Sequence, residues 1–446
     1  MSLVIVFLKV RGHMTIKVAI IGSGPSGFYT ADSLLKSGQD VEVDIIDRLP
    51  TPFGLIRGGV APDHQKTKKV ARAYEKTALN EKVQYFGNVD VGTNVTIEEL
   101  RKTHDAVVLA VGAPTDRKLG IPGDDKIGVF GSADFVGWYN GHPDFTNLDP
   151  NLDVSSVAIV GVGNVAIDAA RVLVKTPAEM AETDIAEHAS VAVQKSPLTD
   201  VYMFGRRGPI EAKFTNVELR EMGKLENCLP VIDPNQLPES VTGDWSERDQ
   251  RLKERNLATM REFLEVEPTN KGKKVHFKFF ANPVEVLGDE KVEGLKVEKT
   301  LVEGGRAIGT GEFYTIDCGL VVAAIGYYSI PIEGVPFDLN NGIVIHDDGR
   351  VEDGVYAVGW IKRGPTGVIG TNKPDGEIAA KQILEDINSS TKAGRNELNS
   401  LLAERNVRIV NYEDWQKIEK AEVAAAIGQA PRKKFVNIQD MLAVLD

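Results

Sequence analysis

Two glycine-rich strings of the same form, far apart in the chain, are the residues whose spacing most directly implies chemistry. Gly22-Ser23-Gly24-Pro25-Ser26-Gly27 follows an apolar run at 17–21 (KVAII) and precedes a predicted helix over 28–37. Strand, G-x-G-x-x-G and helix in that order build a dinucleotide site. Gly22 permits the tight turn, Gly24 lets a pyrophosphate approach the backbone, and Gly27 lets the helix pack close to the strand. The helix N-terminus offers N–H groups to the phosphates. The next predicted strand, 41–46, ends at Asp47, twenty positions after Gly27, where an acid binds a ribose 2′-OH. That acid favours FAD or NAD over NADP, although Arg48 stands beside it.

The second string repeats the form with a different ending. The run 157–160 (VAIV) leads into Gly161-Val162-Gly163-Asn164-Val165-Ala166 and a helix to 174. Ala in place of the third glycine is a permitted variant. The following strand, 201–204, ends in Gly205-Arg206-Arg207-Gly208 rather than in an acid. Guanidinium groups clamp a phosphate through paired N–H bonds and stay charged at any working pH. The bland alternatives are a structural turn and a solvated arginine pair. The contrast between Asp47 and the arginine pair assigns FAD to the first unit and NADP to the second. Two such units in one chain imply a hydride path from NADPH to the flavin.

The elements that must position these residues follow from the apolar runs. The order is βαβ, a second βαβ, then a return to the first unit. Buried strands are predicted at 105–112 (DAVVLAVG), 320–326 (LVVAAIG) and 355–359 (VYAVG). A glycine-rich loop at 363–370 enters a helix from about 375 to 388 and can aim N–H groups at a flavin or its pyrophosphate. Short strands and turns over 271–329 predict an antiparallel segment, and the tail from Thr391 is polar, partly helical and expected to carry no chemistry. The fold class expected is α/β: two nested Rossmann-like dinucleotide-binding domains in a glutathione-reductase-like arrangement. The FAD-binding domain takes 15–113 and, with the tail, 327–446; the NADP-binding domain, 114–326, is inserted into it; 1–14 is an N-terminal extension.

Composition narrows the functions. A net charge of −12 over 446 residues argues against a general nucleic-acid binder. The two cysteines, Cys228 and Cys318, lie far apart and outside any C-x-x-C. This excludes a disulfide scaffold, a cysteine-cluster metal site, an iron–sulfur centre of the chain's own and a thioredoxin-type disulfide exit. No metal is expected. The apolar stretch 2–10 is too short to span a bilayer, which takes about 20 residues. A cytoplasmic protein is the expectation.

The string Pro52-Phe53-Gly54-Leu55-Ile56-Arg57-Gly58-Gly59-Val60-Ala61-Pro62-Asp63-His64 is not explained by periodicity. It resembles the signature loop of ferredoxin–NADP reductases of the adrenodoxin reductase type. The same resemblance runs through Gly163-Asn164-Val165-Ala166 with Asp168, through Gly205-Arg206-Arg207-Gly208-Pro209 on to Phe214 and Glu218-Leu219-Arg220-Glu221-Met222, and through Gly359-Trp360 with 364–370 (GPTGVIG). It implies FAD contacts at Ser26, Asp47, Leu55, Val91, Trp360, Gly367, Val368 and Ile369, and NADP contacts at Val162, Gly163, Asn164, Val165, Arg206, Arg207, Glu218 and Gly367. Ser26 stands where the family often has Ala, Asp47 where it often has Glu, and Val162 at a position that varies. His64 and Glu221 match positions that assist proton handling near the flavin; the alternative is a hydrogen-bonded pair with no part in the rate.

The resemblance also implies a separate, acidic ferredoxin as electron acceptor. Lys66, Lys68, Lys69 and Arg72, with Lys213 and Arg220 near the arginine pair, could steer such a partner, or form an ordinary solvated face. Two other functions would use the same sites: an NADPH-dependent flavin monooxygenase or oxidase, and a non-enzymatic sensor of redox state.

Overall fold

Ile16–Ile21, Val41–Ile46 and Ala106–Leu109 are apolar on nearly every residue, and a strand with no polar face must be covered on both sides. In the computed structural model, which describes residues 15–387 and 390–446, they form the middle of a six-stranded sheet. Its order is β18 (Arg350–Glu352), β19 (Val355–Ala357), β4 (Ala106–Leu109), β1 (Ile16–Ile21), β2 (Val41–Ile46) and β3 (Val83–Phe86). All neighbours are parallel except β18 and β19. Along β1, Val18 and Ile20 enter one apolar cluster and Ala19 and Ile21 another, the two-residue period of a doubly covered strand.

A second six-stranded sheet, parallel throughout, has the order β6 (Val129–Gly131), β14 (Leu320–Ala323), β7 (Ser156–Val160), β8 (Asp200–Phe204), β10 (Lys273–Lys278) and β9 (Cys228–Ile232). The chain passes between the sheets along an antiparallel pair, β5 (Thr115–Asp116) with β15 (Tyr327–Tyr328). The expected antiparallel segment is β11 (Ala281–Leu287), β12 (Gly294–Glu303) and β13 (Arg306–Asp317). Its last two strands are long, 10 and 12 residues, not short as the turn residues implied. A small hairpin joins β16 (Phe337–Asp338) to β17 (Ile343–Val344).

Seven helices matter for the site: α1 (Pro25–Lys36), α2 (Leu55–Gly58), α3 (Ser132–Asn140), α4 (Asn164–Val174), α5 (Asn216–Met222), α6 (Asn372–Asp386) and α7 (Tyr412–Ala424). α1 begins three residues before the predicted Phe28, because Pro25 sits in the first turn, where a missing N–H costs nothing. α6 begins at Asn372; its expected end at 388 lies outside the described residues, as does the N-terminal extension 1–14. α1 and α6 cross closely at Gly376, where a Cβ would lie 2.7 Å from the Thr30 nitrogen. Among the described residues no helix is long and apolar enough to cross a membrane.

Candidate functional site

The loops after β1, β2, β4 and β19 all leave the carboxyl edge of the first sheet, where ligands bind in parallel α/β sheets. The three fingerprint glycines there differ in what they face. Gly22 has φ +107°, and a Cβ would lie 2.5 Å from the Ala110 carbonyl oxygen. A Cβ on Gly27 would collide with the Gly22 carbonyl oxygen. A Cβ on Gly24 would meet nothing within 4 Å. The first and third are packing requirements; the second borders open space at the mouth of α1, whose N-terminus has no side-chain cap.

Asp47 is fixed at the end of β2. Its Oδ2 accepts from the Ser23 backbone N–H at 2.9 Å and the Ser23 hydroxyl at 2.5 Å, and its Oδ1 accepts from the Leu49 N–H at 3.0 Å. Arg48, the cation that left the nucleotide choice open, turns away and pairs with Asp144. Leu55 opens α2 with its side chain largely exposed, and Val91 lies in the turn after β3, bridged to Val95. The second glycine-rich loop reaches the same edge: a Cβ on Gly359 would lie 2.8 Å from that of Ser26. Gly359 donates its N–H to Asp375 at 3.1 Å, and Arg363 pairs with the same carboxylate. The Trp360 indole donates to the Thr366 carbonyl at 3.2 Å, leaving Gly367 and Val368 exposed and Ile369 at the turn into α6.

The second sheet repeats this plan. Gly161 has φ +144°, and a Cβ would strike the Ala324 carbonyl; Gly163, which caps α4 without a side-chain bond, faces open space. The loop is held by Lys213 N–H donating to the Val162 carbonyl at 2.9 Å and by Thr215 N–H donating to Asn164 Oδ1 at 2.8 Å, with Val165 half-buried behind it. Arg206 is exposed, and Arg207 donates only to the Gly305 carbonyl, at 3.2 Å. Among the described residues neither guanidinium has a carboxylate partner.

Between the two edges the signature loop meets α4 and α5. His64 Nε2 lies 2.9 Å from Glu221 Oε2, 3.2 Å from Glu218 Oε2 and 2.8 Å from Arg171 Nη2. Glu218, assigned to NADP by the resemblance, thus stands with His64 and Glu221. Arg171 is fully buried and forks onto Asp63, Nε to Oδ2 at 2.6 Å and Nη2 to Oδ1 at 3.0 Å, while Nη2 also reaches Asp168 at 2.8 Å. Burial and the Arg171 charge hold the His64 ionisation down, but the Glu221 hydrogen bond and the Asp168 and Glu218 charges outweigh them and raise it. Burial and the Asp168 charge push the Glu218 carboxyl up to about 7. Burial also acts on Glu221, yet its bond to His64 and the Arg171 charge keep it below the usual carboxylate range. Two groupings here, Asp63–His64–Glu221 and His64–Asp168–Glu218, bring ligand-type atoms within 4.8 Å of one another, but Arg171 already supplies positive charge in their midst.

The pyridine nucleotide-disulphide oxidoreductase family matches residues 16–203. The chain is 42% identical to the mitochondrial NADPH:adrenodoxin oxidoreductase of Arabidopsis thaliana over 96% of its own length and 94% of that protein. It is 39% identical to the NADPH-ferredoxin reductase FprA of Mycobacterium leprae, covering 97% and 99% of the two chains. The chain belongs to the adrenodoxin reductase family of NADPH–ferredoxin reductases. The solved structure of Mycobacterium tuberculosis FprA in complex with NADPH matches the fold of this reductase with a TM-score of 0.92 at 38% identity, over 97% of this chain and 99% of that one.

One expectation about the reductase needs correction. Lys68 is not a free surface cation: its ammonium is nearly buried and bonds Asp184 at 2.6 Å. Lys66, Lys69 and Arg72, with Lys213 and Arg220, remain exposed. The tail, expected to carry no chemistry, holds structural ion pairs. Glu422 on α7 is fully buried against Arg57 of the signature loop. Lys434 reaches Asp184 at 3.2 Å and the Asn140 carbonyl at 3.0 Å. Arg171 is the residue sequence reading missed. Its signal was a lone charge in the buried run of α4 and its i,i+3 spacing from Asp168.

Proposed function

We propose that the reductase carries electrons from NADPH through FAD to a ferredoxin-type iron–sulfur protein, with FAD on the first sheet and NADP on the second. One observation carries the assignment: Asp47 ends its strand with the neighbouring Arg48 turned onto Asp144, whereas Arg206 and Arg207 follow the equivalent strand with no carboxylate partner among the described residues. A 2′-OH suits the first and a 2′-phosphate the second. The open space at Gly24 and Gly163 leaves room for a diphosphate at each uncapped helix end. Bound there, FAD supplies the conversion of a two-electron donor into single-electron transfers.

The chain's own part is to orient and to hold protons. Ser26, Leu55, Val91, Trp360 and residues 367–369 would hold the flavin, Asn164 and Val165 would orient the nicotinamide nucleotide, and His64 and Glu221 would hold a proton for the reaction. The domain boundaries 15–113, 114–326 and 327–446 belong to this reading, supported by the division of strands between the sheets. Exposed Lys66, Lys69, Arg72, Lys213 and Arg220 would steer an acidic ferredoxin. Both cysteines are buried and unpaired, which suits a reducing compartment, and cytoplasmic action is part of the reading.

Anaerobic titration of the FAD-loaded protein tests it. NADPH should bleach the flavin far more readily than NADH, and ferredoxin should restore the colour at a rate that falls with ionic strength. Equal bleaching by NADH would sink the NADP assignment. A ferredoxin rate indifferent to salt and to charge reversal at Lys66 and Lys69 would sink the docking face.

A further inference from the structure

One ring nitrogen, His64 Nε2, faces a cationic donor and a carboxylate acceptor at hydrogen-bond distance, Arg171 Nη2 at 2.8 Å and Glu221 Oε2 at 2.9 Å, with a second carboxylate oxygen, Glu218 Oε2, in ion-pair range at 3.2 Å. No single arrangement satisfies all three. A proton on Nε2 bonds a glutamate and turns an N–H toward the guanidinium. A bare Nε2 accepts from Arg171 and sets its lone pair against the glutamate oxygens, unless one of them carries the proton. We propose that Arg171 is a positioning residue for the reaction: by competing for Nε2, it decides whether the shared proton rests on His64 or on a glutamate oxygen. The step is a proton transfer from Nε2 to Oε2, with nothing else gained or lost.

The surroundings support this. Arg171 Nη1 is buried with no hydrogen-bond partner among the described residues, 3.4 Å from Glu221 Oε2 and 3.6 Å from Glu218 Oε2, and Glu218 Oε2 is likewise unpartnered. The guanidinium therefore leans on both glutamates without committing to either. Its own position is fixed by the fork onto Asp63, which Lys175 also bonds at 2.5 Å, and by Asp168. Among the described residues the charged groups around His64 are Asp63 from its own loop, Asp168 and Arg171 from α4, Lys175 just past the end of α4, and Glu218 and Glu221 from α5. The buried Tyr139 hydroxyl of α3 adds a dipole beside Asp168. Four carboxyl groups there outnumber two permanent cations, and that excess of negative charge favours keeping a proton in the cluster.

The inference rests on His64 and Glu221 handling a proton, and the experiment separates the two claims. The pH profile of flavin reduction by NADPH is recorded by anaerobic stopped flow for FAD-loaded wild type and variants, with the NADP dissociation constant measured alongside. In Arg171→Gln the His64 ionisation should move up by about one pH unit, a roughly tenfold gain in proton affinity, because a repelling charge is gone. Arg171→Lys should restore the wild-type ionisation at a lower rate. Glu218→Gln, a half-buried site that spares the Asp63 fork, should move the ionisation down, which keeps the test alive if Arg171→Gln loses its flavin. An Arg171→Gln profile that coincides with wild type, an Arg171→Lys profile displaced just as far as that of Arg171→Gln, or an unmoved Glu218→Gln profile overturns the inference. His64→Asn tests the underlying reading: loss of the ionisation upholds it whatever Arg171 does, and persistence removes it together with the inference.

Discussion

Arg206 and Arg207 follow β8 where Asp47 follows β2, and in the proposed function this exchange of charge after equivalent strands selects the nucleotide. Removing both guanidinium groups should lower kcat/KM for NADPH, with each charge-assisted bond to the 2′-phosphate contributing about 1.5–3 kcal/mol. NADH, which lacks that phosphate, should be used nearly as before. Steady-state assays of the double Arg206→Ala, Arg207→Ala variant with both nucleotides check this; an unchanged preference for NADPH would refute it. These residues were legible because the fingerprint fixes where they must stand. Arg171 was not, since its partners Asp63 and His64 lie more than a hundred positions away and only folding brings them together. Lys68 was misread for the same reason: a lysine in a basic run looks solvated until Asp184 is placed beside it.

At the level of the element, the glycines separate fold from ligand. Gly24→Val adds carbon to open space on an extended backbone, so the protein should melt near the wild-type temperature yet lose FAD. Blocking the diphosphate should weaken FAD at least about tenfold, since 1.4 kcal/mol already costs that much. Gly27→Ala drives a methyl group into the Gly22 carbonyl and should destabilise the fold itself by about 1–3 kcal/mol. The ratio of flavin to protein absorbance and a thermal melt together distinguish the outcomes; a Gly24→Val protein that keeps its flavin would count against the site. The strands around these glycines were readable because parallel strands covered on both faces are continuous apolar runs. The length of β13 was not, because most of its residues are exposed and carry no alternating signal.

On the scale of the whole molecule, the sheets are joined by ions as well as by β5 and β15. Asp184 receives Lys68 from the segment after the signature loop and Lys434 from the tail, while within the first unit Arg57 meets Glu422 across 365 positions. Asp184→Asn would leave two buried ammonium groups facing no carboxylate and should lower unfolding stability by about 3–5 kcal/mol in denaturant titration; a smaller loss than about 1 kcal/mol would mean the cluster is dispensable. Burial raises the Asp184 pKa, but Lys434 and Lys68 outweigh it and bring it from 3.8 to about 2. A depressed carboxylate stabilises above its unfolded value, so this contribution, on the order of 2 kcal/mol, is whole above about pH 4 and drains away as pH falls toward 2. The pairing of β4 with β19 has a further consequence, for synthesis on the ribosome. The second sheet is drawn from one unbroken stretch, 129–323, and can close as soon as that stretch emerges. The first sheet opens the chain but waits for Val355–Ala357 to cover the edge of β4 and for α6 to pack on α1. The domain translated first is therefore the last to be completed, and its exposed β4 edge must survive the making of more than two hundred residues before its own chain returns to close it.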